Sequence, residues 1–169
     1  SLSGKRYWLV GASEGLGAAL AQRMSAAGAY VILSARSEAR LKAVASELSG
    51  PCRCEPVDVT DIGSVRAAAE RIGPVDGVVY LAAAYWPMPA TDWQADHATT
   101  MADVNFTGAL RVLGTVVPDM VARDAGHIVI TGSLGGFRGL PGAIGYAASK
   151  AGVMSLAESM HYDLRKTGV

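Results

Sequence analysis

The sequence predicts a doubly wound α/β fold, in which one parallel β-sheet is covered by helices on both faces. Short, almost entirely apolar runs alternate with longer stretches of helical periodicity, and continuous apolar strands are typical of sheets buried on both faces. Parallel strands need a crossover helix between them, so the alternation itself favours a parallel sheet. The chain has 169 residues, of which 50% are hydrophobic, and this is the size of about one domain.

The elements follow from these patterns in chain order. The predicted strands are residues 6–11, 30–35, 52–59, 76–82 and 126–131. The predicted helical regions are residues 15–28, 38–48, 62–72, 92–123 and 144–166. Ser37 and Asp61 stand just before two of the helices, where a side-chain oxygen caps the free amides.

The composition excludes several classes of function. Fifteen basic side chains balance fifteen acidic ones, so the basic footprint that nucleic-acid binding requires is absent. The longest apolar run, residues 78–85, is far shorter than the ~20 residues that cross a bilayer, and we expect a cytoplasmic protein with a small-molecule ligand. Cys52 and Cys54 are too close for an ordinary disulfide, and no His or Cys cluster completes a metal site, so we expect structural thiols and no metal.

A glycine-rich turn joins the first predicted strand to the first helix. Its residues are Gly11, Ala12, Ser13, Glu14, Gly15, Leu16 and Gly17, with the spacing GxxxGxG. Glycines permit a tight turn, a close approach of backbone to pyrophosphate and close packing of helix on strand, while free amides at the helix start face the anion. The turn therefore favours a dinucleotide site, and a plain strand-to-helix turn is the alternative.

The end of the second strand distinguishes between two dinucleotides. An NAD site usually presents a carboxylate there to the ribose 2′-hydroxyl, but this chain has Arg36 and Ser37. A guanidinium binds a 2′-phosphate bidentately, so we expect NADP(H), with NAD(H) as the alternative. Glu14 favours the opposite choice, because its carboxylate would lie near the same phosphate.

Tyr146 and Lys150 stand four residues apart near the start of the last predicted helix, so they share one face of it. A free tyrosine has a pKa of about 10, too high for easy proton exchange at neutral pH, and a nearby ammonium stabilises the phenolate. Ser133 follows the strand at 126–131, at the sheet edge where ligands bind, and its hydroxyl would hold a substrate oxygen. A packed ring and a solvated amine are the alternative, since this spacing also arises by chance.

Two further polar residues, Asn105 and Asp58, are candidates for the site. Asn105 lies inside a predicted helix, where a buried asparagine needs a side-chain reason, although a core-capping amide is the alternative. Asp58 stands near the end of the third strand, where capping the next helix is the alternative to a ligand contact. With the glycine turn, Ser133 and Tyr-Ala-Ala-Ser-Lys at 146–150, these residues occur in the order and at the intervals of the short-chain dehydrogenase/reductase family, which the chain resembles over residues 4–169.

The resemblance implies a Rossmann-fold oxidoreductase that interconverts a carbonyl and an alcohol by hydride transfer. Tyr146 would donate the proton, Ser133 would orient the substrate oxygen, Lys150 would hold the nicotinamide ribose, and Asn105 would fix a water. Asp58 would contact the adenine amino group. The implied cofactor contacts are Gly11, Ser13, Glu14, Gly15, Leu16, Gly17, Arg36, Ser37, Asp58, Val59, Ala82, Ala83, Tyr146 and Lys150.

The chain departs from the family after the fourth strand. The family usually has Asn-Asn-Ala-Gly, whereas the aligned residues here are Tyr80, Leu81, Ala82 and Ala83. The asparagine hydrogen bonds that brace neighbouring strands are then absent, so we expect an altered local network with cofactor binding retained. This departure motivates the alternative function, a catalytically silent dinucleotide-binding sensor or scaffold.

The resemblance also bears on completeness and assembly. In the family a sixth strand lies beside 126–131, so we expect a single Rossmann domain at 1–169 that lacks the final strands and the substrate-lobe segment. The loops at 84–91 and 134–143 would line an apolar substrate entrance, with ordinary loop packing as the alternative. Family members pair two helices across a two-fold axis, so we expect a homodimer or homotetramer. The small and apolar residues available for that pairing are Ala102, Ala109, Val112, Val116, Ala147, Ala151, Met154 and Ala157.

Overall fold

The computed structural model describes residues 1–169 and contains one parallel sheet with helices on both faces. The strands are β1 (Arg6–Val10), β2 (Tyr30–Ser34), β3 (Cys52–Cys54), β4 (Gly77–Tyr80) and β5 (His127–Ile130). The helices are α1 (Gly15–Ala26), α2 (Glu38–Ser46), α3 (Ile62–Ile72), α4 (Ala95–Ala102), α5 (Gly108–Ala122) and α6 (Ile144–Leu164). The strand order is β3-β2-β1-β4-β5, with every neighbouring pair parallel, so the predicted fold class is confirmed.

The order of the strands decides where a ligand can bind. The chain runs outward from β1 through β2 to β3, and then returns to the other side of β1 to form β4 and β5. The crossover loops after β1 and β4 therefore leave the sheet in opposite directions. A crevice opens between them at the carboxyl ends of the strands, and ligands bind at such switch points in open α/β sheets.

Two apolar clusters fill the layers between the sheet and its helices. Alternate residues of β1 point to opposite faces, so Trp8 packs with α3 and α5 while Leu9 packs with α1 and α2. All the residues of β4 are buried, as expected for a central strand covered on both sides. The continuous apolar runs in the sequence reflect this two-sided burial.

The third strand is shorter than the predicted 52–59, because pairing with β2 ends at Cys54. The Glu55 carbonyl accepts from the Ser34 hydroxyl at 2.6 Å, so a side chain takes the place of a ladder bond there. Isolated bonds from Glu55 to Leu33 and from Val57 to Ala35 keep the segment beside β2, at 2.8 and 3.0 Å.

The helical region predicted at 92–123 is divided. A 3₁₀ turn at Ala90–Asp92 precedes α4, and a π-helical segment at Asp103–Thr107 separates α4 from α5. Wide turns of this type occur often at functional sites, and Asn105 lies at the centre of this one.

The strand predicted at 126–131 is present as β5, and it forms an open edge of the sheet. The two predicted helix caps are both present, since Ser37 accepts from the Arg40 amide and Asp61 from the Gly63 amide. No helix has the length and apolar character needed to span a membrane.

Candidate active site

The glycine turn packs in a way that only glycine allows at two of its positions. A side chain at Gly11, where φ is +99°, would collide with the Ala82 backbone, and one at Gly17 would collide with the Gly11 carbonyl. These two glycines let the turn lie directly against the loop after β4 and let α1 begin directly against the turn. The Gly11 and Ala12 amides both donate to the Ser34 carbonyl, at 2.8 and 3.1 Å, which fixes the turn onto β2.

Gly15 differs from its neighbours because it faces open space. Its φ is +53°, and apart from its chain neighbours and its own helix backbone no atom lies within 4 Å of where a Cβ would stand. The amides of residues 15–17 open α1, and the first amides of a helix have no partner within it. The structure thus leaves unpaired backbone donors and a positive helix terminus beside the open space at Gly15, which fits a pyrophosphate.

A cleft of about 1040 Å³ extends from this turn along the carboxyl ends of the strands. All twelve residues outside α6 that the sequence predicted as cofactor contacts line it. They are Gly11, Ser13, Glu14, Gly15, Leu16, Gly17, Arg36, Ser37, Asp58, Val59, Ala82 and Ala83. Tyr146 and Lys150 are not among the lining residues of the cleft.

One basic residue of the cleft was missed in the sequence. Arg40, in the first turn of α2, lines the cleft and pairs with Glu14 across it, with Arg40 Nη1 and Glu14 Oε2 3.5 Å apart. Its position after the Ser37 cap was the available signal, because the first turn of α2 necessarily faces the same region as the strand end. The pair is exposed, so its own contribution to stability is small, but it offsets the Glu14 charge that opposed an NADP site.

The carboxyl group of Asp58 lies on the wall of the same cleft. Its Oδ1 accepts from both the amide and the hydroxyl of Thr60, at 2.9 and 2.7 Å. These bonds, and the nearby positive charges of Arg36 and Arg111, lower the pKa of the Asp58 carboxyl. The helix cap is Asp61, so Asp58 is free of that duty and holds a carboxylate at the cleft wall.

Lys150 and Tyr146 lie together near the end of β5. The Lys150 ammonium is buried and donates to the Thr131 carbonyl at 3.0 Å. It stands 5.7 Å from the centre of the Tyr146 ring, the distance of a cation–π contact. Burial lowers the pKa of Lys150 below its ordinary value. The sequence spacing therefore corresponds to a real cluster of a phenol and an ammonium.

Ser133 follows the strand end that holds Lys150. Its Oγ accepts from the Gly135 amide at 3.1 Å and begins a short 3₁₀ turn at Leu134–Gly136. This bond uses the hydroxyl as an acceptor, so its proton is available to a substrate oxygen.

Asn105 is buried, and its side chain joins two segments of the site. Its Oδ1 accepts from the Ala84 amide at 2.7 Å, and its Nδ2 donates to the Ala84 carbonyl at 2.9 Å. The same Nδ2 donates to Ser149 Oγ at 3.0 Å, and Ser149 donates to the Tyr146 carbonyl at 2.8 Å. Ser149 was missed in the sequence, although it stands inside the Tyr-Ala-Ala-Ser-Lys run. The amide thus links the loop after β4 to the first turn of α6.

The residues that replace Asn-Asn-Ala-Gly make a different network. The buried Tyr80 hydroxyl donates to the Val104 carbonyl at 2.5 Å, next to Asn105 in the π-helical segment, and burial raises the pKa of Tyr80. Backbone bonds brace the strands here, from Leu81 to Val10 and from Thr131 to Tyr80, at 2.7 and 3.0 Å. Main-chain bonds thus hold β1, β4 and β5 together at the place where the family uses asparagine, and the Tyr80 hydroxyl ties β4 to the π-helical segment.

A parallel α/β sheet with an anion-binding turn at its switch point defines the class of Rossmann-fold dinucleotide-binding proteins. Residues 5–169 match the short chain dehydrogenase family. The chain belongs to this family of oxidoreductases, as the resemblance predicted, and it is a short-chain dehydrogenase/reductase enzyme.

Individual relatives agree with this assignment. An uncharacterised oxidoreductase of Staphylococcus epidermidis is 33% identical over 165 residues, which cover 95% of this chain and 72% of that protein. Glycine betaine reductase of Emericella nidulans is 34% identical over 175 residues, which cover 99% of this chain and 14% of that protein.

Solved structures are similar throughout the chain. A variant of actinorhodin polyketide ketoreductase with NADPH has a TM-score of 0.92 and 29% identity, covering 98% of this chain and 67% of that one. A metagenomic short-chain oxidoreductase in complex with NADP has a TM-score of 0.92 and 30% identity, covering 98% of this chain and 78% of that one.

Proposed function

We propose that this enzyme interconverts a carbonyl and an alcohol with NADP(H), using Tyr146, Lys150, Ser133 and Asn105. The observation that carries the proposal is the buried Lys150 ammonium, bonded to the Thr131 carbonyl and 5.7 Å from the Tyr146 ring. A buried charge is costly, and a purely structural role would not require it beside a phenol. The substrate is a small carbonyl or alcohol compound.

Each residue has a distinct task in this proposal. The Tyr146 hydroxyl donates a proton to the substrate oxygen, and the Ser133 hydroxyl donates a hydrogen bond to the same oxygen. Lys150 keeps a positive charge beside the phenol, which favours release of that proton, and it holds the ribose of the cofactor. When bound, the nicotinamide supplies the hydride that reduces the carbonyl carbon.

The role that we propose for Asn105 follows from its hydrogen bonds. Both of its N–H groups are engaged by Ala84 and Ser149, so only an oxygen lone pair is left for the water that the family resemblance implies. We propose that its main task is to hold the loop after β4 against the first turn of α6. The water-fixing role stays a prediction.

Cofactor preference is the first test of this proposal. Arg36 is exposed and lines the cleft, and Arg40 offsets Glu14, so the adenosine end has a guanidinium for a 2′-phosphate. We expect fluorescence titration to give at least about tenfold tighter binding of NADPH than of NADH, since bonds to a charged phosphate contribute about 1.5–3 kcal/mol.

The Arg36→Ala variant should lose most of this preference while its NADH affinity stays within about twofold of wild type, because NADH lacks the phosphate. Arg66→Ala, an exposed arginine of α3 outside the cleft, is the matched control and should keep it. Tighter NADH binding by the wild-type protein, or an unchanged preference in Arg36→Ala, would contradict the NADP(H) assignment.

We also propose a homodimer or homotetramer that pairs α5 and α6 of neighbouring subunits. Four of the residues expected for this pairing instead face the core of their own chain: Ala109, Val112, Val116 and Ala147. Exposed Leu110 and Val121 on α5, with Ala151 on α6, leave an apolar surface for a partner. Sedimentation velocity at micromolar concentration should show a dimer or larger species, and a monomer alone would contradict this proposal.

A separate proposal concerns the open edge of β5. An unpaired parallel strand is a site for association, and the chain spans 72% of the length of the staphylococcal relative. We propose that the final strands and the substrate-lobe segment of the longer relatives would pack at this edge.

A further inference from the structure

Tyr85 occupies an unusual position for an exposed aromatic residue. Its ring packs edge-to-face with the Tyr146 ring, with centroids 4.9 Å apart and planes at 72°. The side chain is nevertheless 56% exposed. One side of the Tyr85 ring therefore meets the proposed proton donor, while the rest of it faces open space.

The backbone on both sides of Tyr85 is held in place. Ala84, the preceding residue, is bonded at its amide and its carbonyl by the Asn105 side chain, at 2.7 and 2.9 Å. Trp86, the following residue, stacks on His97 with centroids 4.3 Å apart and planes at 3°. The Trp86 amide also lies 3.5 Å from Met101 Sδ. Loop residues are usually mobile, but the residues directly before and after Tyr85 are both held by contacts with other elements.

The loop is also tied to the segment that leads into α6. The Met88 amide donates to the Gly142 carbonyl at 2.7 Å, and Met88 forms a parallel bridge with Ala143, immediately before α6. Met88 itself is buried. Met88 lies in the loop that carries Tyr85, and Ala143 leads directly into the helix that carries Tyr146. The bridge between them therefore holds Tyr85 and Tyr146 at a set distance before any ligand binds. Pre-positioned groups bind without a further cost in ordering.

The segment between Ser133 and Tyr146 adds exposed apolar surface. Leu134 is 84% exposed and Phe137 is 76% exposed. The segment packs closely on α6, since a side chain at Gly136 would collide with Met154. Single exposed apolar residues are ordinary, but these two follow closely after Ser133 in the chain, and exposed apolar surface at a ligand-binding groove favours an apolar ligand.

We propose that the substrate carries a flat aromatic ring near its reacting carbonyl, and that this ring packs against Tyr85. The proposal rests on the carbonyl chemistry proposed above and names the substrate class of that site. Tyr85 is a specificity-determining residue in it. Aromatic pairs gain from edge-to-face and offset packing beyond what burial of area supplies, so a flat π-ring is favoured over a saturated ring of the same size.

The test compares ketones that differ in the ring alone. In 4-phenyl-2-butanone and 4-cyclohexyl-2-butanone the carbonyl is separated from the ring by two methylene groups, so its intrinsic reactivity is the same. With NADPH and the full-length protein, we expect kcat/KM to favour the phenyl compound by about fivefold. Tyr85→Leu should bring this ratio to about one, and Tyr85→Phe should keep it. Tyr162→Leu, which removes an equally exposed tyrosine of α6, should also keep it.

A binding measurement separates this inference from the proposed function. Calorimetry of the NADPH-loaded protein with the two corresponding alcohols, a pair that cannot react, should show the same ring preference and the same dependence on Tyr85. Ring-selective binding without turnover of any carbonyl would overturn the proposed function and support the Tyr85 site. Turnover with a phenyl-to-cyclohexyl ratio of about one, or a preference that survives Tyr85→Leu, would overturn the Tyr85 site alone.

Discussion

Replacing Tyr146 by phenylalanine should lower kcat for carbonyl reduction by about a thousandfold, because a positioned general acid contributes roughly 10²–10⁴ in rate. A thousandfold loss corresponds to about 4 kcal/mol of transition-state stabilisation. The substitution removes only the hydroxyl, so the ring can keep its packing against Tyr85 and its position near Lys150. We therefore expect NADPH affinity to stay within about threefold of wild type.

The matched control is Tyr162→Phe, which removes the hydroxyl of an exposed tyrosine in the same helix. It should leave both kcat and NADPH affinity unchanged. The measurement is steady-state reduction followed by NADPH absorbance, with affinity from fluorescence titration. Normal turnover in Tyr146→Phe would place the proton donor elsewhere. Tight NADPH binding by wild type without turnover of any carbonyl would favour the silent sensor or scaffold.

Substituting Lys150 should affect turnover and cofactor binding together. The ammonium stands 5.7 Å from the Tyr146 ring and is bonded to the Thr131 carbonyl, so one charge serves both the phenol and the ribose in our proposal. For Lys150→Arg we expect at least about tenfold lower turnover, or ~1.4 kcal/mol, because a planar guanidinium cannot take the place of a compact ammonium. Lys150→Ala should lower turnover further than Lys150→Arg does, since it removes the positive charge.

The pH dependence of NADPH affinity gives a separate readout of the same residue. Burial lowers the pKa of Lys150 from its ordinary 10.5, so the folded protein loses this positive charge at a lower pH than a free lysine would. Wild-type affinity should therefore weaken as the pH rises through the lowered value. In Lys150→Arg the guanidinium stays charged over the whole range, so this alkaline weakening should be absent.

Lys166→Ala removes an exposed lysine after the end of α6 and serves as the control. Its turnover, affinity and pH profile should match those of wild type. An alanine variant at 150 with near-normal values of all three would mean that the pairing of Tyr146 and Lys150 has no part in the reaction.

The fold was predictable because its determinants are local. A strand buried on both faces must be apolar throughout, as β4 is, and each crossover in a parallel sheet needs a helix. Ser37 and Asp61 cap the helices that they precede, since capping depends on a side chain and the next two or three amides. Gly11 and Gly17 mark the turn because a side chain at either position would meet backbone.

Local irregularities were less predictable. The pattern at 52–59 is that of a strand, yet β3 ends at Cys54, because the Ser34 side chain takes the Glu55 carbonyl and only isolated backbone bonds to β2 follow. The helical pattern at 92–123 gave no sign of the π-helical segment at Asp103–Thr107. Periodicity averages over several turns, so a single wide turn does not change it.

The sequence by itself determined the order of the elements, the parallel sheet, the glycine turn and the shared helix face of Tyr146 and Lys150, because each depends on residues close in the chain. Tertiary structure alone decided the partners of these groups. Asn105 joins Ala84 and Ser149 across 21 and 44 residues, and Glu14 meets Arg40 only after β1, β2 and their helices have packed. Contacts of this kind leave no periodic signal in the chain, since hydrogen bonds and ion pairs depend on distances that folding sets.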